Sequence, residues 1–247
     1  MIALILAAGY GTRLYPLAES TPKALLPVKG KPILGYLVEK LEPLSSDLKE
    51  IVLVSNHRYA ENFQEWTTRS GQRKRWVVLD DRSTSEKDRL GSMGDLAFAI
   101  RSHRLEDDLL VLGSDNLFQG GLKLFVDFAK RKTPGVTLGA YQLPDASDAS
   151  RYGVLTLDGE GRVLQFEEKP PHPTSSLISM ALYFFPRTAL NLVLEYVGSS
   201  KSTDTLGSFI HWLLGRVPVF AYPFRGLWFD IGDVASYNHA QETFDGS

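Results

Sequence analysis

Hydrophobic residues fall along this chain in short unbroken runs, each closed by glycines or polar residues. The runs at 2–6, 50–55 (EIVLVS), 76–79, 109–112 and 136–141 have the length of buried strands and are far too short to span a membrane. Between them, apolar positions recur at helical spacing over 33–41, 59–66 and 122–132. Strands alternating with helices predict a doubly wound, mostly parallel sheet, which binds its ligands outside the strand C-termini. The pattern then changes. Segments 153–157 and 163–168 flank Asp158-Gly159-Glu160-Gly161, a hairpin signal. Helical spacing follows at 188–197 and 206–214, a strand pattern at 217–222, and a closing helix at 233–244 that Asp233 can cap. The expectation is one α/β domain over 1–247 in two halves, about 1–135 and 136–247, the second carrying a small hairpin-and-helix insertion. No internal repeat, low-complexity tract or linker interrupts it.

Composition narrows the class of function. Hydrophobic residues make up 43% of the 247, as in an ordinary globular chain. With 27 basic and 29 acidic residues the net charge is −2, so there is no basic footprint for nucleic acid or an anionic membrane. No cysteine is present, which excludes disulfides and thiol chemistry and suits the cytoplasm. No leader segment is expected ahead of the first strand run. The histidines (His57, His103, His172, His211, His239) show no metal-ligand spacing and are expected to pack or to lie at the surface.

Candidate chemistry begins where the first strand stops. Leu6 gives way to Ala7-Ala8-Gly9, with Gly11 two residues on. Small residues after a strand let backbone amides approach a ligand and cradle phosphate oxygens. Arg13 adds a permanently charged fork of donors, and Lys23 a second cation between Pro22 and the apolar Ala24-Leu25-Leu26-Pro27. Together these read as a triphosphate site. A dinucleotide fingerprint would need glycine at Leu14 and a helix that Pro16 opposes. A Walker loop would need Lys-Ser/Thr after Gly11, and the partner motifs of a kinase loop do not occur. Gly113-Ser114-Asp115-Asn116 follows another apolar strand. A carboxylate there can cap a turn or, beside a phosphate loop, hold a hard cation.

The ensemble of Gly9, Gly11, Arg13, Thr21-Pro22-Lys23 and Leu26-Pro27 resembles the signature of the sugar-phosphate nucleotidylyltransferases, in particular the glucose-1-phosphate thymidylyltransferase group. The resemblance extends to about Ala240 through Gly113-Ser114-Asp115-Asn116, Arg151-Tyr152-Gly153-Val154, Glu167-Glu168-Lys169-Pro170 and Trp228-Phe229-Asp230-Ile231-Gly232. It implies transfer of a nucleotidyl group from an NTP to a sugar 1-phosphate, with dTTP or UTP and glucose 1-phosphate as the expected pair. Arg13 and Lys23 would act on the triphosphate and Lys169 on the sugar phosphate. Nucleotide contacts are expected from Leu6, Ala8, Gly9, Gly11, Thr12, Asp80, Gly91 and Asp115. Sugar-side contacts are expected from Asn116, Tyr152, Gly153, Glu168 and Lys169. Asp115 and Asp230 would share one Mg²⁺. The resemblance further implies a cytoplasmic enzyme, a homo-oligomer as one possibility, and no nucleic-acid or membrane partner.

Departures from the pattern leave alternatives. Ser114 stands within a Gly-Asp-Asn pattern, and Gly94 near the place of a base-reading glutamine. Asp204-Thr205-Leu206-Gly207 replaces a Glu-Ile-Thr-Asp segment, and Lys201 is the candidate for an arginine missing just upstream. A C-terminal hexapeptide-repeat helix like that of bifunctional relatives is not expected within these residues. A CTP-dependent cytidylyltransferase, or a nucleotide-sugar-binding regulatory subunit without turnover, are the competing readings. Retention of Arg13, Lys23, Asp115, Lys169 and Asp230 together speaks against the regulator.

Overall fold

A computed structural model describes residues 1–69, 75–199 and 204–245. Lys201 lies outside them. The fold is α/β, with a mixed, mostly parallel central sheet and helices. In order the chain forms β1 (Ile2–Leu6), β2 (Pro27–Val28), β3 (Lys31–Pro32), α1 (Ile33–Leu41), β4 (Ile51–Ser55), α2 (Ala60–Arg69), β5 (Trp76–Asp80) and α3 (Gly91–Ser102). There follow β6 (Leu109–Gly113), β7 (Asn116–Phe118), α4 (Leu122–Lys132), β8 (Val136–Gln142), β9 (Gly153–Leu157), β10 (Val163–Glu168) and β11 (Leu177–Phe185). The last elements are α5 (Leu190–Ser199), α6 (Leu206–Leu213), β12 (Val219–Phe224), β13 (Trp228–Asp230) and α7 (Val234–Thr243). Among the described residues no helix is long and apolar enough to cross a membrane.

Two compact units are interleaved in sequence. The first comprises Met1–Gly91, Leu112–Leu122 and Gly226–Ser247, the second Ser92–Val111 and Lys123–Arg225. In the first, β1, β4 and β5 run parallel, with Leu6 beside Val54 and Ser55 beside Asp80. The apolar runs of β1 and β4 are buried because a parallel sheet is covered on both faces, whereas β5, at the sheet edge, is half-buried along its length. Ser114 N–H donates to the Leu6 carbonyl, so the end of β6 joins the same edge. A separate core of this unit gathers Leu14, Ala18, Leu26, Val28, Ile33, Leu117, Phe229, Ile231 and Phe244. It fastens the segment after β1 from beneath.

The second unit is largely antiparallel: β9 pairs β10, and β11 pairs both β8 and β9. β8 and β12 run parallel. The expected hairpin is present, its turn closed by Asp158 Oδ1, which accepts from the amides of Glu160 and Arg162. Asp233 caps α7 in a reciprocal capping box with Ser236, as expected. Six elements were not expected: β2, β3, α3, β7, β11 and β13. Helix α3 opens with Gly91, Ser92 and Gly94 and buries the polar Asp95, which blurs its apolar period. The continuous apolar run of β11 reads equally as helix or strand.

Candidate active site

In the first unit, the loop after β1 holds its shape through conformation and buried anchors. Gly11 takes φ +62°, a left-handed value that costs a side-chain-bearing residue and not glycine. Thr12–Leu14 then forms one 3-10 turn, with Leu14 fully buried and Arg13 projecting to solvent. A side chain at Gly9 would meet nothing within 4 Å, so the backbone there borders open space. Ala8, by contrast, is buried, and its carbonyl accepts from Asn56 Nδ2 at 2.9 Å. The tail of the loop is tied to the segment before α2. Arg58 donates to Tyr15 Oη and to the Glu19 carbonyl, and Tyr59 Oη donates to the Ala18 carbonyl. Both ends of the loop are thereby fixed, with Arg13 at one and Lys23 at the other.

Lys23 begins a second 3-10 turn, and its Nζ lies 2.6 Å from Asp115 Oδ2. Burial by itself would raise the Asp115 carboxyl, but the Lys23 ammonium and the hydrogen bonds from Lys23 and Asn116 outweigh it and hold the group below the usual range. Asn116 Nδ2 donates to Asp115 Oδ1, while Asn116 Oδ1 accepts from Trp228 Nε1 at 2.7 Å. The amide expected to meet substrate thus orients Asp115 and Trp228.

β7 and β13 form a short antiparallel ladder with Asp230 opposite Asn116, and Ile231 N–H donates to the Asp115 carbonyl. Alternation along β13 explains a carboxylate set among apolar neighbours: Phe229 and Ile231 enter the core, so Asp230 projects from the other face. Gly232 completes the arrangement. A Cβ there would lie 3.4 Å from Arg13 Nη2 and 3.9 Å from Asp230 Oδ2, so the guanidinium and the second carboxylate flank one bare backbone position. Arg13, Gly11, Lys23, Asp115 and Asp230 therefore come together, although 92 residues separate Lys23 from Asp115.

A divalent cation is not part of the structure, but the donor set suits one. Two carboxylates project from neighbouring strand ends beside a phosphate-type loop. A hard cation with one or two protein carboxylates takes its remaining ligands from phosphate oxygens and water. Among the described residues no three His, Cys, Asp or Glu side chains gather as a metal cage.

Other expected nucleotide residues are engaged locally. Asp80 Oδ2 lies 2.7 Å from His57 Nδ1, which raises the His57 pKa, and Asp80 Oδ1 accepts from Arg82 N–H. Gly91 has φ +76° at the start of α3. Leu6 ends β1, and Thr12 is exposed.

In the second unit, β10 ends at Glu168, two residues before Pro170, which has no N–H to continue a ladder, and Lys169 turns into φ +46°. A lysine there is strained backbone, held by its N–H donating to the Tyr152 carbonyl at 3.0 Å. Strain of this kind gathers at functional positions. Tyr152 packs against the Arg151 guanidinium. Gly153 is bare for a local reason: a Cβ there would stand 2.3 Å from Phe166 Cζ. Burial raises the Glu168 carboxyl, with Lys169 offsetting part of the rise. Two contacts here were not expected from the sequence. His211 Nδ1 lies 2.9 Å from the Phe166 carbonyl and pins α6 to β10, and Gly207 faces Glu168 directly.

With these constellations placed, likeness to known proteins can be weighed. The profile of a family described as nucleotidyl transferase matches residues 2–245. The chain belongs to the nucleotidyl transferase family. It is 37% identical over 235 residues to a protein of Sulfolobus acidocaldarius provisionally named mannose-1-phosphate guanyltransferase, covering 95% of this chain and 60% of that one. A glucose-1-phosphate adenylyltransferase of Thermosipho africanus is 28% identical, with 96% and 60% covered. The bifunctional protein GlmU of Methanocaldococcus jannaschii is 28% identical, with 94% and 51% covered. The chain thus spans little more than half the length of these relatives. A crystal structure from Bacillus anthracis, provisionally named glucose-1-phosphate thymidylyltransferase and in complex with a sucrose, shares the fold. Its TM-score is 0.78 at 22% identity, covering 98% of this chain and 94% of that one.

Proposed function

We propose that the chain transfers a nucleotidyl group from an NTP to a sugar 1-phosphate, giving an NDP-sugar and pyrophosphate. The observation that carries this is the cluster of Lys23, Asp115 and Asp230 beside the glycine loop, with Arg13 at its rim. On this reading the first unit holds the nucleotide and metal, and the second binds the sugar phosphate through Glu168 and Lys169. A sugar-phosphate oxygen attacks the α-phosphorus in line, the bond from that phosphorus to the bridging oxygen breaks, and pyrophosphate leaves. No covalent enzyme intermediate is needed, so catalysis is positioning and electrostatics.

Asp115 holds Lys23 ready in the free protein. When a triphosphate arrives, Lys23 turns to the α-phosphate as negative charge grows there, and Arg13 holds the departing β- and γ-phosphates. Asp115 and Asp230 would hold Mg²⁺, whose charge offsets that of the phosphates. Asn116 fixes the direction of Asp115, and Lys169 draws in the incoming phosphate.

For substrates, dTTP or UTP with glucose 1-phosphate is the first reading, since the bare backbone at Gly9, which borders open space, can meet a pyrimidine imide. CTP is retained as the pyrimidine rival. GTP with mannose 1-phosphate is a second reading, favoured by the 37% identity to the Sulfolobus protein. Pyrophosphate release across a panel of NTPs and sugar 1-phosphates, with an EDTA blank, tests the proposal. One pair should dominate by at least tenfold. Release no greater than the blank with every pair would reject transfer and leave the regulatory reading.

A further inference from the structure

We propose that Gly207 is a positioning residue of the sugar-phosphate subsite: its missing side chain is the space in which the Glu168 carboxylate lies. A Cβ on Gly207 would stand 1.8 Å from Glu168 Oε2 and 2.7 Å from Glu168 Cδ, closer than any real contact, with Phe166 Cε1 next at a tight but tolerable 3.1 Å. The two residues come from different elements, Glu168 from the end of β10 and Gly207 from the first turn of α6. This inference rests on the reading that Glu168 meets the sugar.

Both elements are held independently of that contact. Glu168 is registered against Gly153 in the β9–β10 ladder. Helix α6 is pinned to β10 by His211 on the Phe166 carbonyl, and its first turn is capped by Thr205, which accepts from Ser208 N–H. Just upstream, Ser92 N–H and Oγ donate to the Asp204 carbonyl at 3.1 and 3.0 Å. Neither β10 nor α6 can yield easily, whereas the Glu168 side chain has three free torsions. A methyl group at 207 would therefore expel the carboxylate and leave the helix in place.

The carboxylate has the character of an acceptor awaiting donors. It is half-buried, and among the described residues no hydrogen-bond donor reaches it. Sugar hydroxyls supply such donors. A carboxylate confined at one point above α6 selects hydroxyls that reach that point, and a carboxylate released to solvent loses the selection. Gly207 thus acts through Glu168 without touching substrate.

The test is Gly207→Ala in the full chain. Alanine favours helix more than glycine does, so the melting temperature should equal or exceed that of wild type. The KM for the sugar 1-phosphate should rise at least tenfold while the KM for the NTP stays within twofold. In a Glu168→Ala background the same substitution should change the sugar-phosphate KM less than twofold, because there is no carboxylate left to expel. A crystal structure of Gly207→Ala should show Glu168 in a different rotamer. An unmoved carboxylate, an unchanged KM, or an equal rise in the Glu168→Ala background would each overturn the proposal. If Gly207→Ala fails to fold, the double variant must fold, since it removes the clash; failure of both overturns it. Should the wild type turn over no sugar phosphate, the functional reading fails, and the crystal structure still decides the positioning claim.

Discussion

Replacing Lys23 by methionine removes one charge from an ion pair and leaves the other stranded. The Nζ–Oδ2 distance is 2.6 Å, and the two side chains keep 17% and 26% of their exposure. Breaking a fully buried pair costs about 3–5 kcal/mol. Partial exposure of both groups lets water screen the residual charge, so the loss here is about 2 kcal/mol. For a chain of this size that corresponds to an apparent midpoint about 6 °C lower. Catalysis should suffer more. Removing a cation aimed at charge that develops in the transition state lowers kcat by about a hundredfold or more. The assay pairs thermal unfolding followed by circular dichroism with pyrophosphate release at saturating substrates. In Lys23→Met/Asp115→Asn no charge is stranded, so the midpoint should return toward wild type while turnover stays lost. A Lys23→Met variant with an unchanged midpoint and kcat within threefold of wild type would refute the reasoning.

Asp115→Asn and Asp230→Asn should each abolish Mg²⁺-dependent turnover, and the double variant should be scarcely worse than either single one, because losing one ligand already spoils a two-carboxylate site; kcat for the three variants decides it. Lys169→Gly should raise stability by about 1 kcal/mol by relieving a left-handed lysine, yet lose sugar-phosphate turnover; a lower melting temperature would show that the φ of +46° is not strained. Gly153→Ala should cost about 2 kcal/mol by forcing Phe166 aside, as chemical denaturation would report. The KM for sugar phosphate should fall as pH rises through a value above the usual glutamate range, where Glu168 ionises, and Glu168→Gln should flatten that profile. The folded chain holds this proton more tightly than the unfolded one, so the ionisation also lowers stability as pH rises.

The first unit was legible because its strands are short apolar runs and its loop carries glycine and cation spacing that few other sites share. Gly11, Arg13, Lys23 and Asp115 could be placed from sequence alone. The β7–β13 ladder could not. Each strand has three residues, and their pairing depends on a register between segments more than a hundred residues apart. That Trp228 and Asp115 take both ends of the Asn116 amide could not be read from the sequence, since the Trp228 contact depends on that register. Gly153 and Gly207 illustrate the same limit. Their need for a bare Cα comes from Phe166 and Glu168, whose positions follow from tertiary packing. His211 carried no spacing signal, since its partner is a backbone carbonyl on another element.

Which phosphorus bond breaks is the most direct test of the account. Phosphorus NMR of a reaction containing the preferred NTP, its sugar 1-phosphate and Mg²⁺ resolves every product. One NDP-sugar and one pyrophosphate are expected for each NTP consumed, with neither formed by Asp115→Asn. Orthophosphate with NDP, or an intact NTP beside a bound sugar phosphate, would contradict it.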